Sequence, residues 1–227
     1  MKIQFLGTGA ADWPFEKSPE AKEFRRLSAA IIDWELLIDC GPQTIGALQE
    51  YRIDPAGIRY ILITHRHFDH FSLETVRELE KCGAHVIELR AGETKTLGKY
   101  TVRAYAGNHG TCTNTLHYII SDGRNTVFYG LDGAWLLYEE VQAIKEYRPD
   151  LAVLDATIGF VDGDYRIFEH NSLNMILEMK RSLSDYVKQF CISHMARTLH
   201  TDHIALQKSM EKEDVLTAYD GMEIELI

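Results

Sequence analysis

The stretch that decides the fold reads His65-Arg66-His67-Phe68-Asp69-His70, directly after the apolar run Tyr60-Ile61-Leu62-Ile63-Thr64. The apolar run predicts a buried strand, which gives a loop of polar side chains a rigid base. In extended backbone, residues two apart project to the same side, so His65 and His67 can bind one ion together. Asp69 and His70 face another direction and suit a second ion. Imidazole and carboxylate are donors that zinc accepts, and the ordinary alternative is a histidine-rich polar loop.

Length and composition favour one domain over residues 1–227. The chain has 227 residues, 45% of them hydrophobic, and no linker or repeat divides it. Its longest apolar runs have the length of strands, so no membrane span is expected. The first residues begin a strand without the apolar segment of a signal peptide, so we expect a cytoplasmic protein.

The charge balance favours a small-molecule substrate. The formal net charge is −10, whereas proteins that bind long nucleic acid normally carry a basic face. Four cysteines are scattered without a Cys-x-x-Cys pair, which argues against a disulfide framework or a cysteine zinc site. They are Cys40, Cys82, Cys112 and Cys191.

The order of predicted elements mixes hairpins with β-α-β units. Asp122-Gly123 predicts a hairpin turn, and Asp220-Gly221 predicts another between Val215–Tyr219 and Met222–Ile227. Helices are predicted from about Ala134 to Tyr147 and over Leu173–Leu183. Strands outnumber helices, which favours an α/β (α+β) fold of two mixed β-sheets packed face to face with helices outside.

Further ligand-type residues follow predicted strands. They are Asp39, His109, Asp132 and His194. Each has an ordinary interpretation: a helix cap before Pro42, a loop histidine, a turn aspartate and a strand-end histidine. Together with the histidine-rich stretch, their order resembles the motifs of the metallo-β-lactamase superfamily. The resemblance extends from Phe5-Leu6-Gly7-Thr8-Gly9 to His194 and implies the four-layer αββα sandwich of that fold.

The resemblance also implies a binuclear metal site. One divalent ion would be held by His65, His67 and His109, and the other by Asp69, His70 and His194. Asp132 would bridge the two ions. Asp39 would orient a histidine ligand by hydrogen bonding without binding metal. Zinc is the expected ion, with manganese or iron as alternatives.

A binuclear site predicts hydrolysis. A divalent ion lowers the pKa of bound water from about 15.7 towards 7, which makes hydroxide available at neutral pH. A second ion can stabilise the anion that develops on the substrate. Asp69 or Asp132 could also accept a proton. The reaction class is hydrolysis at phosphorus or at an ester-like carbonyl.

Other segments resemble the phosphodiesterases related to ribonuclease Z and the cyclic-phosphate diesterase of phosphonate degradation. They are Arg25–Ile32, Leu37–Pro42, Val153–Thr157 and His170-Asn171-Ser172-Leu173. By that resemblance, His170 would bind phosphate or protonate the leaving oxygen. The alternative is that His170 caps the following helix. His203 and Arg197 are weaker candidates for substrate contact, with surface positions as the alternative.

Three classes of activity therefore remain open. The first is a phosphodiesterase acting on a small or cyclic phosphodiester. The second is a lactonase or thioester-type hydrolase with the same metal site, and the third is iron-based oxidation or oxygen sensing. The sequence leaves a homodimer open.

Overall fold

Each of two compact units contains one mixed β-sheet. The structure is a computed structural model that describes residues 1–227. The first unit comprises Met1–Glu88, Ala218–Glu225 and Ile227, and the second comprises Leu89–Thr217 and Leu226. None of the helices has both the length and the apolar character that crossing a bilayer requires. A single domain over 1–227 stays a prediction.

The first unit has a six-stranded sheet in the order β13-β1-β2-β3-β4-β5. Its strands are β1 (Lys2–Gly7), β2 (Ala29–Ile32), β3 (Leu36–Ile38), β4 (Tyr60–Leu62), β5 (His85–Val86) and β13 (Glu223–Glu225). Strands β1 to β3 pair antiparallel, and β3, β4 and β5 pair parallel. The parallel connections run through α1 (Thr44–Glu50) and α2 (Leu73–Lys81).

A core of apolar side chains joins these helices to the sheet. Leu48 of α1 and Leu79 of α2 pack in one cluster with Leu37 and Ile61 of the neighbouring strands. The Ser72 side chain accepts a hydrogen bond from the Thr75 amide and so caps α2. These contacts fix β4, the strand that leads into the histidine-rich stretch.

The second unit has a seven-stranded sheet in the order β12-β11-β10-β9-β8-β7-β6. Its strands are β6 (Thr94–Leu97), β7 (Tyr100–Ala106), β8 (Leu116–Ser121), β9 (Thr126–Gly130), β10 (Leu151–Asp155), β11 (Gln189–Ser193) and β12 (Val215–Thr217). The helices are α3 (Tyr138–Tyr147), α4 (Leu173–Leu183) and α5 (His203–Glu211). Strands β6 to β9 pair antiparallel, whereas β9 to β12 pair parallel.

The parallel strands determine where the polar residues of the second unit lie. Parallel neighbours end at the same edge of a sheet. Asp155 ends β10, Asp132 follows β9 closely, and His194 directly follows β11. The strands themselves are almost wholly buried, as is typical of parallel sheet. The fold therefore presents three ligand-type side chains at one sheet edge.

The two predicted hairpins have different outcomes. The Asp122-Gly123 hairpin is confirmed, since Ser121 pairs with Thr126 across the β8–β9 turn. The C-terminal hairpin is wrong, because β12 pairs parallel with β11 and β13 pairs antiparallel with β1. The Asp220 carboxylate explains the difference, since it accepts hydrogen bonds from the Thr8 hydroxyl and the Arg26 amide. Asp220 and Gly221 still form a turn, closed by the Met222 amide donating to the Tyr219 carbonyl at 2.9 Å, but this turn connects strands of different sheets.

Helix α3 begins later than predicted. The prediction placed its start near Ala134, whereas the helix begins at Tyr138. Trp135 has a φ of +57°, outside the helical range. The Ala134 amide donates to the Asn108 carbonyl, 2.9 Å away. The residues after Asp132 therefore form a fixed loop instead of a first helical turn.

Candidate metal centre

The histidine-rich stretch of the first unit forms a compact group of imidazoles. His65 and His70 are buried, with ring centroids 4.4 Å apart, and His67 is half-buried. The centroids of His65 and His67 are 4.5 Å apart. Nε2 of His70 lies 3.4 Å from a carboxylate oxygen of Asp69. All four predicted ligands from this stretch therefore lie close to one another.

Asp39 holds this group in place from the end of β3. Its Oδ2 lies 2.7 Å from Nδ1 of His70, and both residues are fully buried. Its Oδ1 accepts hydrogen bonds from the Thr64 amide and hydroxyl, at 2.8 and 2.9 Å. With Nδ1–H donated to Asp39, His70 carries its lone pair on Nε2, which is the arrangement that a metal-binding imidazole needs. Asp39 does not cap α1, whose N-cap is Gln43.

The second unit brings four ligand-type side chains together. The ligand atoms of Asp132, Asp155, His170 and His194 all lie within 4.8 Å of one another. Nε2 of His194 is 3.2 Å from Oδ2 of Asp132. His170 and His194 stack with an interplanar angle of 19°. The structure thus brings the predicted residues Asp132, His170 and His194 together and adds Asp155.

Asp155 organises this cluster by accepting hydrogen bonds from several directions. Its carboxylate is fully buried and accepts from the Asp132 amide at 3.0 Å and from Nδ1 of His170 at 2.9 Å. It also accepts from the Thr157 amide and hydroxyl and from the Asn171 amide. The Thr157 hydroxyl in turn lies 2.7 Å from Nδ1 of His194. One carboxylate therefore accepts hydrogen bonds from four residues beside it.

His109 is the remaining predicted ligand in this unit. It is buried on the loop after β7, and its Nδ1 lies 3.2 Å from the Glu169 carbonyl. Its ring centroid is 5.0 Å from that of His170. Donation from Nδ1 to that carbonyl leaves the lone pair on Nε2, as a metal ligand requires.

The cluster electrostatics favour a charged His170. Burial lowers the pKa of His170, but the carboxylates of Asp155 and Asp132 outweigh it and raise that pKa to about 9. Burial would raise the pKa of Asp155, yet the His170 and His194 imidazoles beside it bring that pKa below its usual range. An Asp155 carboxylate paired with a His170 imidazolium follows from these opposing effects.

Three residues of the candidate centre have left-handed backbone. The φ angles are +65° at Asp39, +57° at Asp132 and +61° at His194. Non-glycine residues rarely adopt this region, and such conformations concentrate at functional sites. Each of the three directly follows or closely follows a buried strand, so the turn at the strand end directs its side chain.

The remaining predictions concern the cap of α4 and the possible substrate contacts Arg197 and His203. Ser172, not His170, caps α4, because its hydroxyl accepts from the Met175 amide. Arg197 is exposed on the loop after His194, and His203 is the half-buried first residue of α5. Asp202 caps that helix through the Ala205 amide. Substrate contact by Arg197 and His203 stays a prediction.

Asp155 belongs to the centre but was not among the predicted site residues. Its position could have been recognised in the sequence, because Asp155, like Asp39, is an aspartate at the end of an apolar run. His117 lies within a strand pattern that predicts a structural role, and its Nε2 is 2.8 Å from the carbonyl of Leu131, the residue before Asp132. A histidine inside a strand pattern gives no indication of such a contact in sequence.

The donor set fits a borderline divalent cation. Imidazole nitrogens and carboxylate oxygens are the donors that zinc binds in proteins. The donors are largely buried, and partners on Nδ1 orient several of the imidazoles. Surface histidines and acids lack these orienting partners. The clusters can therefore hold a metal ion, and their carboxylates would help to neutralise its charge.

Comparison with known sequences gives partial matches. The family model described as "Anti-Pycsar protein Apyc1" matches residues 1–85. Ribonuclease Z of Streptococcus pyogenes serotype M5 (strain Manfredo) is 37% identical over 70 residues, or 31% of this chain. The aligned segment spans 22% of the length of that relative.

Comparison with solved structures covers the whole chain. The metallo-β-lactamase fold protein YhfI from Bacillus subtilis has a TM-score of 0.75 at 16% identity, covering 99% of each chain. A diphosphatase of the PhnP family has a TM-score of 0.74 at 16% identity, covering 100% of this chain and 98% of the other. Likeness at this identity establishes architecture, and it agrees with the two mixed sheets and five helices described above. The chain therefore has the metallo-β-lactamase fold.

Proposed function

We propose that this protein is a metal-dependent hydrolase with a binuclear site, acting on a small or cyclic phosphodiester. The observation that carries the proposal is the Asp155–His170 pair beside Asp132 and His194. In this cluster, side chains that can bind a metal lie beside an imidazole that can carry a proton. Hydrolysis of a phosphodiester can use both, because a proton donated to the leaving oxygen assists its departure as the new bond forms.

Seven side chains form the proposed ligand set. His65, His67 and His109 would hold one ion, Asp69, His70 and His194 would hold the other, and Asp132 would bind both. The hydrogen bond from His70 to Asp39 and the contact of His109 with the Glu169 carbonyl support these assignments. Zinc is the proposed ion, on the chemistry of the donors. Manganese and iron are the alternatives.

A divalent ion, when bound, supplies hydroxide at neutral pH and stabilises negative charge on the substrate. The side chains of the protein orient the ligands and supply the proton for the leaving group. Asp155 holds Nδ1 of His170, which leaves Nε2 as the nitrogen that can donate a proton to the leaving oxygen. Asp39 and Thr157 keep His70 and His194 in single orientations.

Two comparisons support a phosphorus substrate over a carbonyl substrate. The sequence relative is a ribonuclease Z, and one structural relative is a PhnP-family diphosphatase. The net charge of −10 favours a small substrate over long nucleic acid. A cytoplasmic location and a homodimer stay predictions.

A substrate panel tests the proposal. Purified protein is stripped of metal, reloaded with zinc, manganese or iron, and assayed against cyclic nucleotides, other small phosphodiesters, lactones and thioesters. We expect metal-dependent turnover of phosphodiesters. Turnover of lactones or thioesters alone would favour the alternative hydrolase, and redox-active iron without any hydrolysis would contradict both.

A further inference from the structure

His117 lies at the base of two loops that carry proposed ligands. It is a residue of β8, its side chain is 1% exposed, and it lies outside the ligand set. Its Nε2 is 2.8 Å from the carbonyl of Leu131, the residue before Asp132. Its Nδ1 is 2.5 Å from a carboxylate oxygen of Glu140 on α3. Both ring nitrogens therefore face acceptors, and the ring donates in two directions.

The His117 ring also packs directly against the backbone of both loops. A Cβ atom at Gly107, before His109, would lie 2.7 Å from Nε2 of the ring. A Cβ atom at Gly133, after Asp132, would lie 2.7 Å from Cε1. Real Cβ atoms do not approach buried rings so closely, so only glycine fits at these points. The ring therefore determines how close the two loops come to β8.

The two loops are also bound to each other. The Ala134 amide donates to the Asn108 carbonyl at 2.9 Å, and the Asn108 side chain donates to the Ala134 carbonyl at 2.5 Å. Between these points the backbone of Asp132 holds a φ of +57°. A conformation of this kind persists only where its surroundings impose it.

Glu140 fixes the other side of the ring. It is fully buried, and its second oxygen accepts from the Leu137 amide at 2.7 Å, at the start of α3. The chain of contacts thus runs from α3 through Glu140 and His117 to Leu131. A buried histidine and carboxylate could instead serve stability alone. Their direct link to the residue before Asp132, and the glycines that admit the ring, favour a role in the centre.

We propose that His117, held by Glu140, is a positioning residue that sets the loops of His109 and Asp132 for metal binding. The inference rests on the proposed function, since it assumes that these two residues are ligands. Removing an outer-shell partner typically weakens metal affinity by about 10- to 100-fold. Because His117 acts through the backbone of its neighbours, we expect a loss of about tenfold.

The test is zinc affinity, measured by competition with a chromophoric chelator on folded protein. His117→Phe keeps an aromatic ring but removes both hydrogen bonds, and Glu140→Gln removes the carboxylate that holds the ring. Ile119→Ala is the matched control, because Ile119 lies two residues along the same strand, fully buried in the core. Thermal unfolding of the metal-free proteins reports the stability lost in each variant.

The inference predicts weaker zinc binding in His117→Phe and Glu140→Gln, and wild-type affinity in Ile119→Ala, even where all three unfold at lower temperature. Wild-type zinc affinity in His117→Phe would overturn it. If that variant does not fold, wild-type affinity in Glu140→Gln overturns it equally. A wild-type protein that binds no zinc, manganese or iron would overturn the proposed function itself, which separates the two failures.

Discussion

At the scale of single residues, two aspartates, one in each unit, make the same kinds of contact with a threonine and a histidine. Asp39 accepts from the Thr64 hydroxyl and holds Nδ1 of His70, and Asp155 accepts from the Thr157 hydroxyl and holds Nδ1 of His170. The first could be assigned from its place in an ordered set of motifs. The second could not, because its histidine partner is brought to it by the loop before α4. Hydrogen bonds of this kind depend on tertiary structure, which sequence spacing does not encode.

Asp132→Ala should abolish hydrolysis and disrupt metal binding while the fold stays intact. Asp132 is the proposed bridging ligand, and its side chain lies 3.2 Å from Nε2 of His194. Elemental analysis measures metal content, steady-state kinetics measures hydrolysis, and circular dichroism checks that the fold is intact. Wild-type metal content together with wild-type turnover would rule out the bridging role.

His170→Ala should lower phosphodiester turnover with its metals retained. Loss of a positioned general acid typically reduces the rate by about 10²- to 10⁴-fold. His85→Ala is the control, since His85 is an exposed residue of β5 in the first unit. Steady-state kinetics and metal content of both variants check the prediction, and unchanged kinetics in His170→Ala would leave the residue without a catalytic role.

At the scale of elements, the strand ends were predictable and the helix caps only partly so. Apolar runs followed by polar residues indicated the strands before the histidine-rich stretch, before Asp132 and before His194, because buried strands are rich in apolar residues. Strand β4 is shorter than predicted, since it ends at Leu62 and the apolar run continues to Thr64. His170 and Ser172 were both open as caps of α4, and only the backbone geometry decides between them. Ser172 is the cap because its hydroxyl faces the Met175 amide.

Ser172→Ala should therefore destabilise the protein by about 1 kcal/mol, as loss of an N-cap does. His170→Ala removes no cap, so any stability that it loses has a different origin. Ser184→Ala, at the other end of α4, is the control. Urea unfolding measures all three. A negligible effect of Ser172→Ala would show that the cap contributes nothing.

The link between β8 and α3 predicts a pH dependence of stability. Burial lowers the pKa of His117, but the Glu140 carboxylate outweighs it and raises the pKa. A histidine whose pKa is higher in the folded protein than in the unfolded chain stabilises the folded state when it is protonated. This contribution is complete below the pKa in the unfolded chain, about 6.5, and it is lost as the pH rises through the pKa in the folded protein. The free energy of unfolding then changes by at most about 1.4 kcal/mol per pH unit.

The stability difference between wild type and His117→Phe should therefore be larger near about pH 6 than near about pH 9. Urea unfolding of metal-free protein across this range measures it. Subtracting the variant removes the contributions of titrating groups outside the His117–Glu140 pair. A difference that stays constant with pH would show that His117 does not bind an extra proton in the folded state.

At the scale of the whole molecule, the fold class was predictable and the C-terminal topology was not. The alternation of hairpins and β-α-β units indicated two mixed sheets, and that prediction is confirmed. The last two strands were predicted as a hairpin from Asp220-Gly221, yet each joins a different sheet. The carboxylate of Asp220 and the buried Arg25, which donates to Thr8 and to the Ala218 carbonyl, explain the connection. The Thr8–Asp220 and Arg25–Ala218 contacts span 212 and 193 residues, so they leave no local signal in the sequence.

The proposed function requires that seven side chains hold two cations. The most direct test is an anomalous difference map from crystals grown with zinc. We expect two peaks about 3.5–4 Å apart, as in known two-metal sites. Each should lie about 2.0–2.2 Å from the nitrogens and oxygens of its ligands. A map without peaks at His65, His67, Asp69, His70, His109, Asp132 and His194 would contradict the account.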